Sequence, residues 1–351
     1  MPYSPTNSFP DKEPARFLPV LFVCTIIFAL WAIYNFVHIL PLLQFDRPTA
    51  VRREMAQRGW IELVIFNALF AMLLVCYTLC VVTSPGEIPN TEKWLYNGGG
   101  EDEPVGADLS GLDAQEKKRS GERRHCKWCG KFKPDRCHHC RVCKRCVLKM
   151  DHHCPWIYNC VGFRNHKYFF LLLFYATLTA HFVWITMIES VRLGIEPLGR
   201  VFLLVFGMVL SSLFGLLLTV FFAFHIWLAF KAMTTIEYCE KSSKKQDYTG
   251  SMYHRGCYGD FIAVVGPNPF FWLLPIAYGR GDGMTFTSNN SEGSRKVSVT
   301  SSYDKHRIGS DGKGEGSSRS TLEDRSADTK RVAKYMEEDE QRAPESSEPL
   351  L

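Results

Sequence analysis

Four stretches of this chain contain no Asp, Glu, Lys or Arg: Phe17–Phe45, Leu63–Gly86, Tyr168–Ile188 and Val201–Phe230. A helix crossing a bilayer needs about 20 apolar residues, and each stretch reaches that length. The sequence therefore predicts four transmembrane helices, not the buried helices of a soluble protein. The first sixteen residues are polar and Pro-rich. The first apolar stretch is too long for the core of a cleavable signal peptide, so it reads as a signal anchor.

Orientation follows from the basic residues, which favour the cytosolic side. The loop Glu87–Lys167 carries sixteen Lys or Arg, the loop Glu189–Arg200 two, and the loop Asp46–Gly59 four. Both termini and the long loop are expected in the cytosol, where thiols stay reduced. That matters because the long loop is cysteine-rich. Thirty-five residues, Cys126 to Cys160, hold eight of the thirteen cysteines. In the cytosol such a cluster implies metal or catalysis, not disulfides. Tetrahedral zinc sites take four Cys or His ligands, often as CxxC pairs. Eight Cys plus His125, His138, His139, His152 and His153 exceed what two sites need. A surplus Cys beside a surplus His is what thiol catalysis requires.

The array, with Lys133-Pro134-x-Arg136, Lys149-Met150, Asp151-His152-His153-Cys154, Pro155-Trp156 and Asn159-Cys160-Val161-Gly162, resembles the cysteine-rich domain of the DHHC-type protein S-acyltransferases. The likeness runs from about Cys126 to Tyr168. It implies a helical polytopic membrane protein: four transmembrane helices, with a small cytosolic two-zinc domain between helices two and three. It implies one Zn2+ on Cys126, Cys129, His139 and Cys146, and a second on Cys140, Cys143, His153 and Cys160. Interleaved sites of this kind would cross-brace a segment with little core of its own. It further implies that Cys154 is the nucleophile, with His152 taking the thiol proton and Asp151 orienting the imidazole. The implied reaction passes a fatty acyl group, palmitoyl above all, from acyl-CoA to Cys154 and then to cysteines of substrate proteins.

Other parts of the chain carry weaker resemblances. Thr234-Thr235-Ile236-Glu237 is similar to the family's TTxE motif, and Trp156 directly follows Cys154-Pro155. Trp156, Thr234 and Thr235 are expected at the substrate. Gly259–Pro275 resembles the family's aromatic C-terminal motif but carries Asp260 where that pattern has Asn. Its apolar residues suit a segment packed between zinc domain and membrane surface. In this family side chains near the far ends of helices one and three limit the acyl cavity, and Thr177–Thr179 is the matching stretch here.

The expected organisation is an N-terminal tail (1–16), helices one and two with a lumenal loop (17–86), a flexible linker (87–121), the zinc domain (122–167), helices three and four (168–230), the motif segment (231–280) and a disordered tail (281–351). Helix two is expected to begin near Trp60 and stop at Ser84-Pro85-Gly86, with Glu62 near enough to its end to reach water. Cys137 reads as a small filler, and His125 and His138 as surface or supporting groups.

Lys117 to Lys149 holds thirteen basic and two acidic residues. Four membrane spans argue against nucleic acid. Anionic lipid, coenzyme A, or compensation of two anionic three-Cys-one-His sites each accounts for the charge. The lipid bilayer, acyl-CoA and cysteine-bearing proteins are the expected partners, on an endomembrane such as ER, Golgi or vacuole/lysosome, or on the plasma membrane. The alternatives are a membrane-anchored zinc adaptor, a RING-like ubiquitin ligase, and a transporter, for which the spans offer only His38, His181 and His225 as ionisable imidazoles.

Overall fold

The apolar stretches form four helices long and apolar enough to cross a membrane. They are α1 (Leu18–Leu43), α2 (Ala50–Val82), α3 (His166–Leu193) and α4 (Leu198–Phe230). The protein is a multi-pass membrane protein. A computed structural model describes residues 17–43, 50–96, 114–118, 120–193, 197–243, 251–276 and 281–287. The expected N-terminal tail, most of the expected linker and the tail beyond residue 287 lie outside the described residues.

Lipid tails are as apolar as leucine, so close backbone approach holds transmembrane helices together. On α4, Gly207, Ser211 and Gly215 form a buried stripe at four-residue spacing. A Cβ on Gly207 would lie 2.9 Å from Ile33 of α1, and one on Gly215 would lie 3.2 Å from the His181 ring of α3. The His181 ring is itself satisfied, by Thr219 at 2.7 Å and the Trp184 indole N–H at 2.9 Å.

Helix α1 widens into a π-helical section over Ile33–Ile39. Pro41 lies just beyond. It has no N–H to donate four residues back, and its ring crowds that carbonyl. The carbonyl belongs to Val37, and Arg200 of α4 donates to it through Nε and Nη2 at 3.1 and 3.0 Å. The break in α1 is thus sealed by a cation from a neighbouring helix.

Helix α2 begins at Ala50, about ten residues earlier than expected. The apolar run starts late because Arg58 and Glu62 interrupt it, but a helix tolerates paired charges. Arg58 and Glu62 stand four apart and bond at 2.6 Å. Glu62 does not reach water: it is 6 % exposed and also meets His38 Nε2 at 2.9 Å. Arg58 further pairs with Glu189 and donates to the Thr186 carbonyl, so the cluster joins α1, α2 and α3.

At the other end of α2, the Asn159 side-chain amide donates to the carbonyls of Cys80 at 3.0 Å and Thr83 at 2.8 Å. These are acceptors that a helix C-terminus leaves without partners. The cysteine-rich segment is fixed to the helix end by this cap. It contains three two-stranded antiparallel hairpins: β1–β2 (His125–Cys126, Lys131–Phe132), β3–β4 (His138–Cys140, Arg145–Val147) and β5–β6 (His152–Cys154, Asn159–Val161). Gly162 approaches backbone closely. A Cβ there would sit 2.9 Å from the carbonyls of both Leu148 and Pro85.

After α4 come two short helices, α5 (Thr235–Ser243) and α6 (Cys257–Val265). Helix α6 and the aromatic residues behind it pack on α3 and α4, through Val265 with Phe170 and Ala229, and Phe261 with Trp272. Asp260 is 2 % exposed, accepts from the Arg255 backbone N–H at 2.9 Å and contacts His254. Two boundary expectations change. Gln115 and Glu116, placed in the linker, donate their N–H groups to Asp135 of the cysteine-rich domain at 3.1 and 2.9 Å. Residues 281–287, placed in the disordered tail, also pack: Met284 joins the core around Trp94, and Phe286 lies 5.3 Å from the Arg136 guanidinium. Both carry apolar side chains that a purely polar tail lacks.

Candidate active site and metal centres

The three hairpins are copies of one another. His125-Cys126, His139-Cys140 and His153-Cys154 recur at a constant step, and so do Gly130, Lys144 and Tyr158. Those last three all adopt left-handed backbone, at φ 58°, 52° and 47°. Each metal set takes two cysteines from one hairpin and a His–Cys pair from the next. Cys126 and Cys129 of the first hairpin face His139 and Cys146, which are cross-strand partners in the second. Cys140 and Cys143 of the second face His153 and Cys160, partners in the third.

The ligand atoms of each set lie within 4.8 Å of one another. His139 Nδ1 is 3.5, 3.3 and 4.0 Å from the sulfurs of Cys126, Cys129 and Cys146. His153 Nδ1 is 3.8, 3.4 and 3.6 Å from those of Cys140, Cys143 and Cys160. A tetrahedron with Zn–S of about 2.3 Å and Zn–N of about 2.0–2.1 Å has S···N edges of about 3.6 Å. Cys143 and Cys160 stand 3.5 Å apart, far beyond a disulfide bond of about 2.05 Å. Both donor sets can hold a metal ion, and their shape fits zinc.

The repeat also locates Cys154. It stands where Cys126 and Cys140 stand, at the first ligand position of a third set. The next CxxC position is Ile157, and the chain enters α3 instead of a fourth hairpin. Cys154 is a ligand position without a site. Alternation along strand β5 does the rest. His153 turns to the metal set, while His152 and Cys154 both face a cavity between the helices.

Asp151, 1 % exposed, meets His152 Nδ1 at 2.7 Å. Burial opposes charge on both, but their hydrogen bond outweighs it. The Asp151 carboxyl is held well below the usual carboxylate range. The His152 imidazole is raised to about 9, with Cys154 adding to the effect. Asp151 is fixed in turn by Thr235, whose backbone N–H and hydroxyl bond it at 3.0 and 2.8 Å.

Thr234 and Glu237 form a capping box at the start of α5. The Thr234 N–H donates to the Glu237 carboxylate at 3.0 Å, and the Glu237 N–H to the Thr234 hydroxyl at 3.3 Å. Glu237 also takes a two-pronged bond from buried Arg136, at 2.6 and 2.9 Å. Neither threonine lines the apolar cavity. Trp156 does, 55 % exposed and 6.4 Å from Phe22 between ring centres. Its carbonyl accepts from the Tyr77 hydroxyl at 2.9 Å. Cys137 is wholly buried beside Cys126 and Cys146. His125 stacks on Tyr96 at 3.9 Å, and His138 lies 3.9 Å from Glu240.

The cavity measures about 590 Å³ and is bounded by all four spans. Phe22, Phe70, Leu173 and Phe214 represent them, and Thr179 and Ser211 are polar members of its wall. Cys154, His152 and Trp156 line it as well. Asn159 and Arg136 stood in the sequence only as letters of the likeness, without a role, and Tyr77 was not singled out. The constant step between hairpins was there to be read, and it separates Cys154 from the ligands.

Helical spans, a double finger domain and a buried Asp-His beside a thiol define a membrane-embedded acyltransferase of the thiol type. A profile of the DHHC palmitoyltransferase domain matches residues 119–242. Palmitoyltransferase ZDHHC20 of Homo sapiens is 33% identical over 286 residues, covering 77% of this chain and 76% of the relative. Palmitoyltransferase ZDHHC2 of Danio rerio is 31% identical over 297 residues, covering 81% and 80%. Probable protein S-acyltransferase 14 of Arabidopsis thaliana is 38% identical over 224 residues, covering 61% and 71%. The chain belongs to the DHHC palmitoyltransferase family and is a protein-cysteine S-palmitoyltransferase. The adaptor and ubiquitin-ligase alternatives are not favoured.

Proposed function

We propose that Cys154 carries the acyl group between acyl-CoA and a protein cysteine, with His152 as its proton partner and Asp151 as the orienting carboxylate. The observation that supports this is that Cys154 and His152 line an apolar cavity formed by all four spans. Its volume falls inside the roughly 300–1,000 Å³ typical of ligand sites. A thioester carbonyl beside Cys154 leaves the chain in the cavity and the coenzyme outside.

In the first half-reaction His152 takes the Cys154 proton and Cys154 sulfur bonds the acyl carbon. The carbon–sulfur bond to CoA breaks, and the departing thiolate recovers the proton from His152. In the second, an acceptor thiol gives its proton to His152 and attacks the Cys154 thioester, and Cys154 leaves as the thiolate. Each step exchanges one thioester for another, so no ATP is needed. Trp156 borders the reacting carbonyl, Thr235 holds Asp151, and Thr179 lies at the cavity wall where chain length is sensed. The eight ligands bind two Zn2+, which fold the segment and hold His153 so that its neighbours project into the cavity.

The basic cysteine-rich loop and both termini face the cytosol, on an endomembrane or the plasma membrane. Two measurements test the reading. Protein incubated with labelled palmitoyl-CoA acquires hydroxylamine-sensitive label on Cys154, and Cys154→Ser acquires none. Labelling of Cys154→Ser equal to wild type overturns it. A protease site inserted near Gly98 is cut from the cytosolic side of sealed vesicles, and its protection inverts the topology.

A further inference from the structure

His152 borders a second concavity. It shares only His152 with the acyl cavity and encloses about 370 Å³. Its floor is Asp151, His152 and Thr235, and its wall is α5, through Ile236, Cys239, Glu240 and Ser243. Those four recur at i, i+3, i+4 and i+7, one face of a helix. Ile236 faces inward to the second metal set, packed beside Cys143 and Cys160. Cys239 and Ser243 are short, and their size leaves the groove open. Glu240 stands between them with its side chain 54 % exposed and its carboxylate 3.9 Å from His138. Among the described lining residues none is Lys or Arg.

Resting on the thioester reading above, we propose that this groove admits the acceptor cysteine of the substrate protein, and that Glu240 selects acceptors with basic residues beside that cysteine. The acceptor thiol must reach the imidazole that takes its proton. That imidazole is the one residue common to the groove and the acyl cavity. Coenzyme A is the other group needing access; among the described lining residues its phosphates find no Lys or Arg and meet the exposed carboxylate of Glu240. A cysteine between lysines suits both the small side chains and the rim charge. Because Thr235 begins α5 and bonds Asp151, the same helix that receives the acceptor holds the dyad in register.

The test is a single turnover. Cys154 is loaded with palmitate in neutral lipid nanodiscs, free palmitoyl-CoA is removed, and transfer to soluble peptides is timed. One peptide has its cysteine between lysines and the other between glutamates. Wild type transfers to the lysine peptide about fivefold faster, the scale of one rim charge pair of about 1 kcal/mol. Glu240→Lys reverses the order. Reading a ratio from preloaded enzyme cancels any effect on loading. In a second comparison, Cys239→Phe fills the groove and slows transfer to both peptides at least tenfold relative to Cys239→Ala. A peptide ratio unchanged by Glu240→Lys refutes the charge selection. Equal rates for Cys239→Phe and Cys239→Ala refute the groove itself. A wild type that never acquires label on Cys154 refutes the thioester reading instead.

Discussion

Thr235 donates its hydroxyl to Oδ2 of Asp151 at 2.8 Å and its backbone N–H to Oδ1 at 3.0 Å, across 84 residues of sequence. Asp151 is thereby held by the segment after the last span as well as by its neighbour His152. A buried carboxylate with all its acceptors engaged has one orientation, and His152 inherits it. Thr235→Val keeps the shape and the N–H but loses the hydroxyl. A hydrogen bond to a charged group contributes about 1.5–3 kcal/mol, so acylation of Cys154 slows about tenfold or more. Thr235→Ser restores the hydroxyl and most of the rate, and bound zinc is the same in both variants. A Val variant acylating at the wild-type rate reduces Thr235 to packing.

The metal sets make a quantitative prediction. Purified protein contains about two zinc ions per chain by elemental analysis, by the four-ligand rule. Cys126→Ala lowers the content by disturbing the first set, and Cys160→Ala by disturbing the second. Because the sets interleave through adjacent hairpins, either change also lowers the unfolding temperature. Full zinc in both variants means that the ligands are misassigned.

How far the sequence carried the fold depended on the range of the interaction. The spans were legible because absence of charge over about 20 residues has one common cause. The start of α2 was not. Arg58 and Glu62 read as the edge of a loop, since their neutralising partners His38 and Glu189 lie on other helices. The metal ligands were legible through the family likeness, and the hairpin repeat now gives a reason for their pairing. Arg136 was a letter of that likeness, but its role could not be read from it. It bonds Glu237 from 101 residues away and lies over the rings of Tyr253 and Phe286. Only the folded chain brings those groups together.

The Glu62 cluster predicts a stability effect separate from chemistry. Removing one member of a fully buried pair costs roughly 3–5 kcal/mol. Arg58 keeps 30 % of its side chain exposed and retains Glu189, so Glu62→Gln costs less, on the order of 2–3 kcal/mol. Thermal unfolding in detergent measures it. The expected result is a lower midpoint with zinc content unchanged, because the cluster lies at the end of the helices away from the metal sets. An unchanged midpoint shows that the cluster is solvated and contributes little.

The last prediction separates the two roles at Cys154. Cys154→Ser loses the acyl intermediate, since a hydroxyl is a far poorer nucleophile without a stronger base. It keeps both zinc ions, because the Cys154 sulfur belongs to neither set of eight ligands. His152→Ala keeps the thiol and removes its proton partner. The thiol must then ionise unaided, and the thiolate is the nucleophile. Its acylation is therefore slow at neutral pH and climbs as pH rises, recovering part of the loss. Wild type gains far less over the same range, because its imidazole, raised to about 9, already holds the proton that the thiol gives up at neutral pH. Asp151→Ala acts through the same imidazole and gives a similar or smaller loss. The measurement is the initial rate of Cys154 acylation against pH, with zinc assayed in each sample. A His152→Ala profile parallel to wild type removes His152 as the proton partner, and loss of zinc from Cys154→Ser makes Cys154 a metal ligand.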